Sequence, residues 1–227
     1  MSTLSFSLVF LLMIVLMLLG LPIAVSMVLV GAATGVFVFG VPFLSSTGAM
    51  LWGVLNDNLL TAAPLFILLG ELLLRSGMAD RMYGAMSAWL SKLPGGLLHT
   101  NIACCALFAA TSGSSVATAA TVGTVALPSL QARKYPMPQA LGSLAAGGTL
   151  GILIPPSINM ILYGSLTENS IGKLFIAGII PGLLLTGLFM AYILINSKLQ
   201  GNVPREVLPP LRERVRLLVH LIPPLVI

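Results

Sequence analysis

Residues 97–130 read LLHTNIACCALFAATSGSSVATAATVGTVALPSL, two apolar arms meeting at Thr111-Ser112-Gly113-Ser114-Ser115. The first arm, 97–111, closes on that tip. The second, 116–130, closes on Pro128. A helix needs about 20 apolar residues to cross a bilayer, and neither arm reaches that length comfortably. Two short apolar segments joined by a Ser/Gly tip predict a re-entrant hairpin. Non-helical backbone at membrane depth is tolerated only where protein or a water-filled cavity receives it. The hairpin therefore implies a surrounding helical bundle.

The rest of the chain suits that setting. Of its 227 residues, 57% are hydrophobic and 7% charged, against roughly a quarter charged in soluble domains. The first charge is Asp57. Such a surface cannot face water throughout. The net charge of +5 arises from basic residues dispersed among short loops, which argues against a nucleic-acid partner. Cys104 and Cys105 are adjacent in an apolar run and read as buried small side chains, not a disulfide framework. The N-terminus lacks a basic n-region and a clear cleavage site, so no removable signal peptide is expected. No paired carboxylates, nucleophile–base pair, metal-ligand spacing or phosphate loop occurs. The sequence points to no enzyme and no cofactor.

Working outward, residues 4–40 exceed one crossing. Gly20 and Pro22 interrupt them, so two short crossings, 4–20 and 22–40, are expected, with one long tilted helix as the alternative. Residues 41–61, with Pro42, Ser45-Ser46-Thr47-Gly48 and Asn56-Asp57-Asn58, read as a loop with a short interfacial helix near Leu51 to Leu55. Residues 62–75 form a brief apolar helix. In 78–93, Met78, Met82, Met86, Trp89 and Leu93 recur at helical spacing opposite Asp80, Gly84, Ser87 and Ser91. That predicts an amphipathic helix in the interface plane, or one packed on protein. Residues 139–165 are apolar and broken by Pro155-Pro156, 174–196 form a span, 198–216 are polar and basic, and 217–227 begin another apolar run. Eleven residues cannot complete a span, so a longer protein is expected. The fold class is an all-α membrane protein, a multi-span bundle with a re-entrant hairpin and a discontinuous helix. Its segments are 1–61, 62–96, 97–131, 139–197 and 198–227.

Short-loop Lys and Arg set the orientation. Arg75, Arg81 and Lys92 lie in 75–96, Arg133 and Lys134 follow the hairpin, and Lys198, Arg205, Arg212, Arg214 and Arg216 lie in 198–216. Residues 41–61 carry none, and 166–173 carry only Lys173. The three basic segments are expected on the cytoplasmic side, so the hairpin enters and leaves there.

Two candidate sites follow. At the tip, Ser114 or Ser115 can cap the helix that follows, and Thr118 and Thr121 extend a polar stripe along it. A helix N-terminus aimed at mid-membrane attracts an anionic carboxylate, and free carbonyls on the preceding arm suit a cation. The second site is the stretch Gly147-Gly148-Thr149-Leu150-Gly151-Ile152-Leu153-Ile154-Pro155-Pro156-Ser157-Ile158-Asn159. Pro155 and Pro156 donate no backbone hydrogen bond, so the Gly151 and Ile152 carbonyls lose their helical partners. A sodium ion can take carbonyl and hydroxyl oxygens there, as in transporters with discontinuous helices. Close packing of small residues at the tip and a proline kink satisfied by neighbours are the structural alternatives. Glu71 lies inside an apolar segment, but Arg75 four residues later favours an ion pair. His99 and His220 are expected in loops or at an interface.

At these sites the sequence resembles a family. Ser112-Gly113-Ser114-Ser115-Val116-Ala117-Thr118-Ala119-Ala120 and Ile154-Pro155-Pro156-Ser157 are similar to the large membrane subunit, the DctM-like permease, of tripartite ATP-independent periplasmic (TRAP) transporters. Further similar stretches are Pro64-Leu65-Phe66-Ile67-Leu68-Leu69-Gly70-Glu71, Leu93-Pro94-Gly95-Gly96-Leu97 and Leu174-Phe175-Ile176-Ala177-Gly178-Ile179-Ile180-Pro181-Gly182, in the family's order. The resemblance implies one repeat of an elevator-type inverted-repeat transporter in the bacterial inner membrane. It implies sodium-driven uptake of a carboxylate-bearing solute, delivered by a periplasmic solute-binding protein, with a small membrane subunit beside the large one. Carried over, Ser112 to Ser115 and Gly151 to Ser157 would build a sodium site, with Na+ at Ser112, Ser114, Ser115 and Gly151 and the substrate beside it. Thr118, Thr149 and Asn159 join the candidate set. The family's large subunit is nearly twice as long, so this chain corresponds to its N-terminal half. The alternative is a non-transporting membrane scaffold whose helix breaks serve packing alone.

Overall fold

A computed structural model of the chain describes residues 3–56, 58–201, 204 and 210–222. The described residues form helices joined by short turns, and the chain divides into two compact units, Met1–Asp57 and Asn58–Ile227.

The first unit holds α1 (Thr3–Leu18), α2 (Ile23–Phe39) and α3 (Pro42–Leu55). Gly20, at φ +85°, and Pro22, just before α2, separate the first two, as their residue types predict. The loop expected over 41–61 is instead mostly α3. Pro42 starts that helix at its first turn, where a missing N–H costs nothing. The Ser45, Ser46 and Thr47 hydroxyls donate to the carbonyls of Pro42 and Phe43, at 2.7–2.8 Å. Hydroxyls that bond back within the helix do not break it. Phe43 packs over Gly35, and its ring stacks on Phe39 at 5.9 Å between centroids.

The second unit runs α4 (Asn58–Arg75), α5 (Met78–Leu90), α6 (Leu97–Ser112), α7 (Ser115–Ala132), α8 (Met137–Leu153), α9 (Ile158–Leu166), α10 (Ile171–Gln200) and α11 (Leu211–Leu217), with a short 3-10 turn over Leu218–Leu221. Among the described residues two stretches, Met137–Leu166 across its break and Ile171–Leu199, are long and apolar enough to cross a bilayer. At about 1.5 Å per residue, α6 and α7 each reach only some 24–27 Å, and the chain reverses between them, as the hairpin reading requires.

The hairpin's first arm is the centre of this unit. Helix α6 packs against α4, α5, α7, α8 and α10. Leu97, Leu98, Ile102, Cys105, Phe108 and Ala109 are buried. A helix apolar all round is one enclosed by protein or lipid, and here protein encloses it. Cys104 and Cys105 are both buried and unbonded to each other. His99, expected in a loop or at an interface, is instead inside α6 and fully buried. Gly95 and Gly96, at φ +110° and +50°, fold the preceding turn so that the Pro94 carbonyl meets the imidazole. His99 Nε2–H donates to that carbonyl at 2.8 Å.

Polar side chains tie the base of the hairpin together. Tyr83 Oη of α5 donates to Asn101 Oδ1 (2.9 Å), and Asn101 Nδ2 donates to Ser143 Oγ of α8 (2.7 Å). Tyr135, between α7 and α8, accepts the Leu97 N–H on its phenolic oxygen at 3.0 Å. The amphipathic helix α5 turns a face of Ala79, Met82, Tyr83, Ala85 and Ala88 onto protein. Its buried stripe therefore rests on alanines between the methionines, which the large-residue spacing alone did not reveal.

Tyr135→Phe removes the acceptor for a buried N–H that heads α6. An orphaned buried donor costs about 1–3 kcal/mol, so thermal unfolding in detergent should fall by several degrees. An unchanged midpoint would show that the Leu97 N–H finds another partner.

Candidate functional site

Helix α6 ends at Ser112 because Gly113 adopts the left-handed conformation (φ +62°) and closes the last turn onto Ala109 O at 3.0 Å. Ser114 is extended and caps α7, its Oγ accepting from the Ala117 N–H at 3.4 Å. The reversal thus takes only two residues. Across it, Ser112 Oγ and Thr118 Oγ1 lie 3.0 Å apart, and both side chains are buried. The positive end of the α7 dipole lies at this tip.

Helix α8 ends where the prolines stand. The last N–H before them, on Ile154, bonds to Leu150 O at 2.8 Å. Pro155 and Pro156, joined by a cis peptide, offer no donor to the Gly151 and Ile152 carbonyls. Ser157 is extended and α9 begins at Ile158.

The two breaks touch. The Ile158 N–H, an unpaired group at the start of α9, donates to Gly113 O at the tip, at 3.1 Å. A Cβ on Gly113 would lie 2.7 Å from Pro156 O, and one on Gly151 would lie 2.6 Å from Ser114 O and 2.8 Å from Ser115 Cα. These are contacts that only glycine permits. Gly148 meets Ala119 of α7, and Gly70 of α4 meets Ser112 at 3.1 Å from its would-be Cβ. Small residues let α4 and α8 approach the hairpin backbone to backbone.

At this junction Ser157 is fully buried and its Oγ has no hydrogen-bond partner. A buried hydroxyl without a partner is costly, and in native proteins it commonly marks a bound ion or water. The surrounding donor set is hydroxyl and carbonyl oxygen, which suits a hard cation. Among the described residues no three His, Cys, Asp or Glu side chains gather as a transition-metal site would need.

The sequence candidates divide accordingly. Ser112, Gly113, Thr118, Gly151 and Ser157 are buried around the meeting of the breaks, with Ser114, Ser115, Pro155 and Pro156 half-buried beside them. Thr149 and Asn159 are exposed. Thr149 bonds back to Ala146 O (2.6 Å) and lines an open depression with Ser115, Val116, Ala119 and Gly148. Gly148 lay within the second candidate stretch but was not singled out as a site residue, and Gly70 was not a candidate. Gly70 carried no signal beyond its place after an apolar run. Glu71 pairs with Arg75 at 2.7 Å, with both side chains substantially exposed, and such a pair contributes at most about 1 kcal/mol.

The family described as tripartite ATP-independent periplasmic transporter, DctM component, matches residues 10–227. The chain belongs to this transporter family. It is 41% identical over 175 residues to the C4-dicarboxylate TRAP transporter large permease protein DctM of Pseudomonas aeruginosa, covering 77% of this chain and 41% of that protein. It is 36% identical over 220 residues to the DctM protein of Rhodobacter capsulatus, covering 91% and 50%. The sialic acid TRAP transporter large permease protein SiaM of Vibrio cholerae is 32% identical over 188 residues, covering 82% and 44%. The chain spans about half the length of these curated relatives, or less. The matched region includes the whole hairpin and the whole broken helix of this DctM-family chain.

Gly151→Ala tests the junction. The added methyl cannot fit against Ser114 O without moving backbone, and overpacking of this kind costs about 1–3 kcal/mol. Its unfolding midpoint should drop while that of Gly142→Ala, where nothing lies within 4 Å, stays put. Equal midpoints would refute the close contact.

Proposed function

We propose that this chain forms the N-terminal half of a sodium-coupled permease that takes up an organic acid. The observation that carries the reading is the meeting of the two helix breaks around the unpartnered Ser157 Oγ. Sodium would sit among Ser112, Ser114, Ser115, Gly151 and Ser157, with hydroxyl and carbonyl oxygens replacing its hydration. Thr118, hydrogen-bonded to Ser112, would hold that hydroxyl in place. The carboxylate of the solute would lie near the α7 N-terminus, drawn by unpaired N–H groups and by the cation itself.

Coupling follows from that arrangement. The ion completes the oxygen shell of both breaks, so binding stabilises their junction. A carboxylate beside it then binds to a site already assembled and positively charged. Thr149, whose hydroxyl is bonded back to Ala146 O, and the exposed Asn159 would not ligate the ion.

The organic-acid class is supported by the relatives, whose names give C4-dicarboxylate, sialic acid, 2,3-diketo-L-gulonate, ectoine and isethionate. A small membrane subunit and a periplasmic binding protein would complete the system. One relative is a single permease protein named DctMQ. The remaining half of the permease would supply a second hairpin, and the assembly would lie in the bacterial inner membrane.

The test uses the complete permease with its partners in proteoliposomes. Ser112→Ala and Ser157→Ala each remove an oxygen from a cation, an interaction worth about 1.5–3 kcal/mol. The sodium concentration for half-maximal uptake should rise at least about tenfold for each, with Thr149→Ala unchanged. Uptake with unaltered sodium dependence in both serine variants would refute the site.

A further inference from the structure

Part of the polar segment after α10, the helix α11, is packed onto the unit. Helix α11 docks on α5, and the contact is specific: Trp89 Nε1–H donates to Arg214 O at 3.1 Å, and the Arg214 guanidinium lies over the indole, 4.7 Å from its centroid. Segments 75–96 and 198–216, both expected on the cytoplasmic side from their cations, are thereby brought together.

Among the described residues none covers the outer face of this pair. Leu211, Val215, Leu218, Val219 and Ile222 are each more than a third exposed. At 3.6 residues per turn they fall on one stripe through α11 and its 3-10 extension. Arg212 and Arg216 flank that stripe on one side, both exposed. Arg214 over Trp89 flanks the other. Glu213 points away from the stripe, and α11 therefore carries three arginines against one acid. Neither Arg212 nor Arg216 has an ion-pair partner among the described residues.

An apolar stripe edged by guanidinium groups is the pattern of a helix lying in a bilayer interface, with apolar side chains below and cations at headgroup depth. A second copy of this chain would bring like charges against these arginines. A soluble acidic partner would leave the leucine–valine stripe unmatched. Phosphate diesters satisfy both halves at once, since guanidinium forks bind phosphate oxygens in pairs, and acyl chains receive the stripe.

We propose that α11, braced by Trp89, is a docking surface for anionic phospholipid on the cytoplasmic leaflet. The helix would lie flat, gripping headgroups through Arg212 and Arg216. It would fix the depth of the amphipathic helix α5, and through α5 the base of the hairpin. This surface is independent of the sodium site and stands or falls separately from it.

Trp89 supplies the probe. The chain has two tryptophans, Trp52 and Trp89, so Trp52→Phe leaves Trp89 alone. The 227-residue chain is reconstituted in mixed phosphatidylcholine–phosphatidylglycerol bilayers of fixed composition. Bromine is carried on the acyl chains of one lipid or the other at equal mole fraction. One cation at an anionic surface shifts local partition by about fivefold. Quenching with bromine on phosphatidylglycerol should therefore exceed that on phosphatidylcholine, by an amount corresponding to roughly fivefold enrichment or more, and the excess should shrink in high salt. The Arg212→Gln/Arg216→Gln double variant should abolish the excess, and Arg212→Lys/Arg216→Lys should keep most of it. Equal quenching by both lipids, or an excess that survives the glutamine substitutions, overturns the proposal. Absence of quenching by either lipid overturns it too, because the stripe is then covered by protein.

Discussion

A backbone group that loses its helical partner inside a bilayer has no water to replace it. That constraint governs the second unit. Two helices are interrupted there, one by a Ser/Gly reversal and one by consecutive prolines, and each exposes groups that a continuous helix would pair. The chain places the interruptions against each other. The Gly113 carbonyl and the Ile158 N–H become partners across the gap. Glycines at 113, 148 and 151 remove the side chains that would hold the strands of backbone apart. Much else in the unit follows: α6 must be enclosed on all sides so that its tip can lie deep, and its base must be fixed so that the tip meets α9.

The enclosure is built from ordinary apolar packing, but its register is set by polar contacts. Tyr83, Asn101 and Ser143 link three helices through two hydrogen bonds, and Tyr135 caps the first turn of α6. Apolar contacts tolerate sliding, whereas buried hydrogen bonds do not. The depth of the tip is thus determined about 15 residues away, at the hairpin's base, roughly 22 Å along α6.

Much of this was legible in the sequence. The Ser/Gly tip and the paired prolines marked both breaks, because glycine and proline act locally and their effect needs no knowledge of neighbours. Gly20 and Pro22 divided α1 from α2 for the same reason. What depended on distant partners was less visible. No periodicity indicates that Gly113 will meet Ile158, or that Thr149 will be exposed while Gly151 is buried. The Ser/Thr run at 45–47 looked like a loop because hydroxyls compete with backbone, yet here they bond back inside α3. His99 looked like a boundary residue, and the Gly95-Gly96 turn supplied it with a buried carbonyl. The buried face of α5 was hidden because alanines mark a close helix contact more quietly than methionines do.

The bond between Gly113 and Ile158 has a consequence for how such a site can open. If the tip alone swung aside like a door, the carbonyl and the N–H would both be stranded, each at a cost of about 1–3 kcal/mol. The glycine surfaces of α8 would be left facing a void. The hinge for that movement would lie in the segment most firmly tethered, where Tyr135 and Asn101 hold the hairpin's root. A swinging gate is therefore opposed at both its latch and its hinge. The contacts favour hairpin and broken helix moving as one body, with the junction between them kept shut.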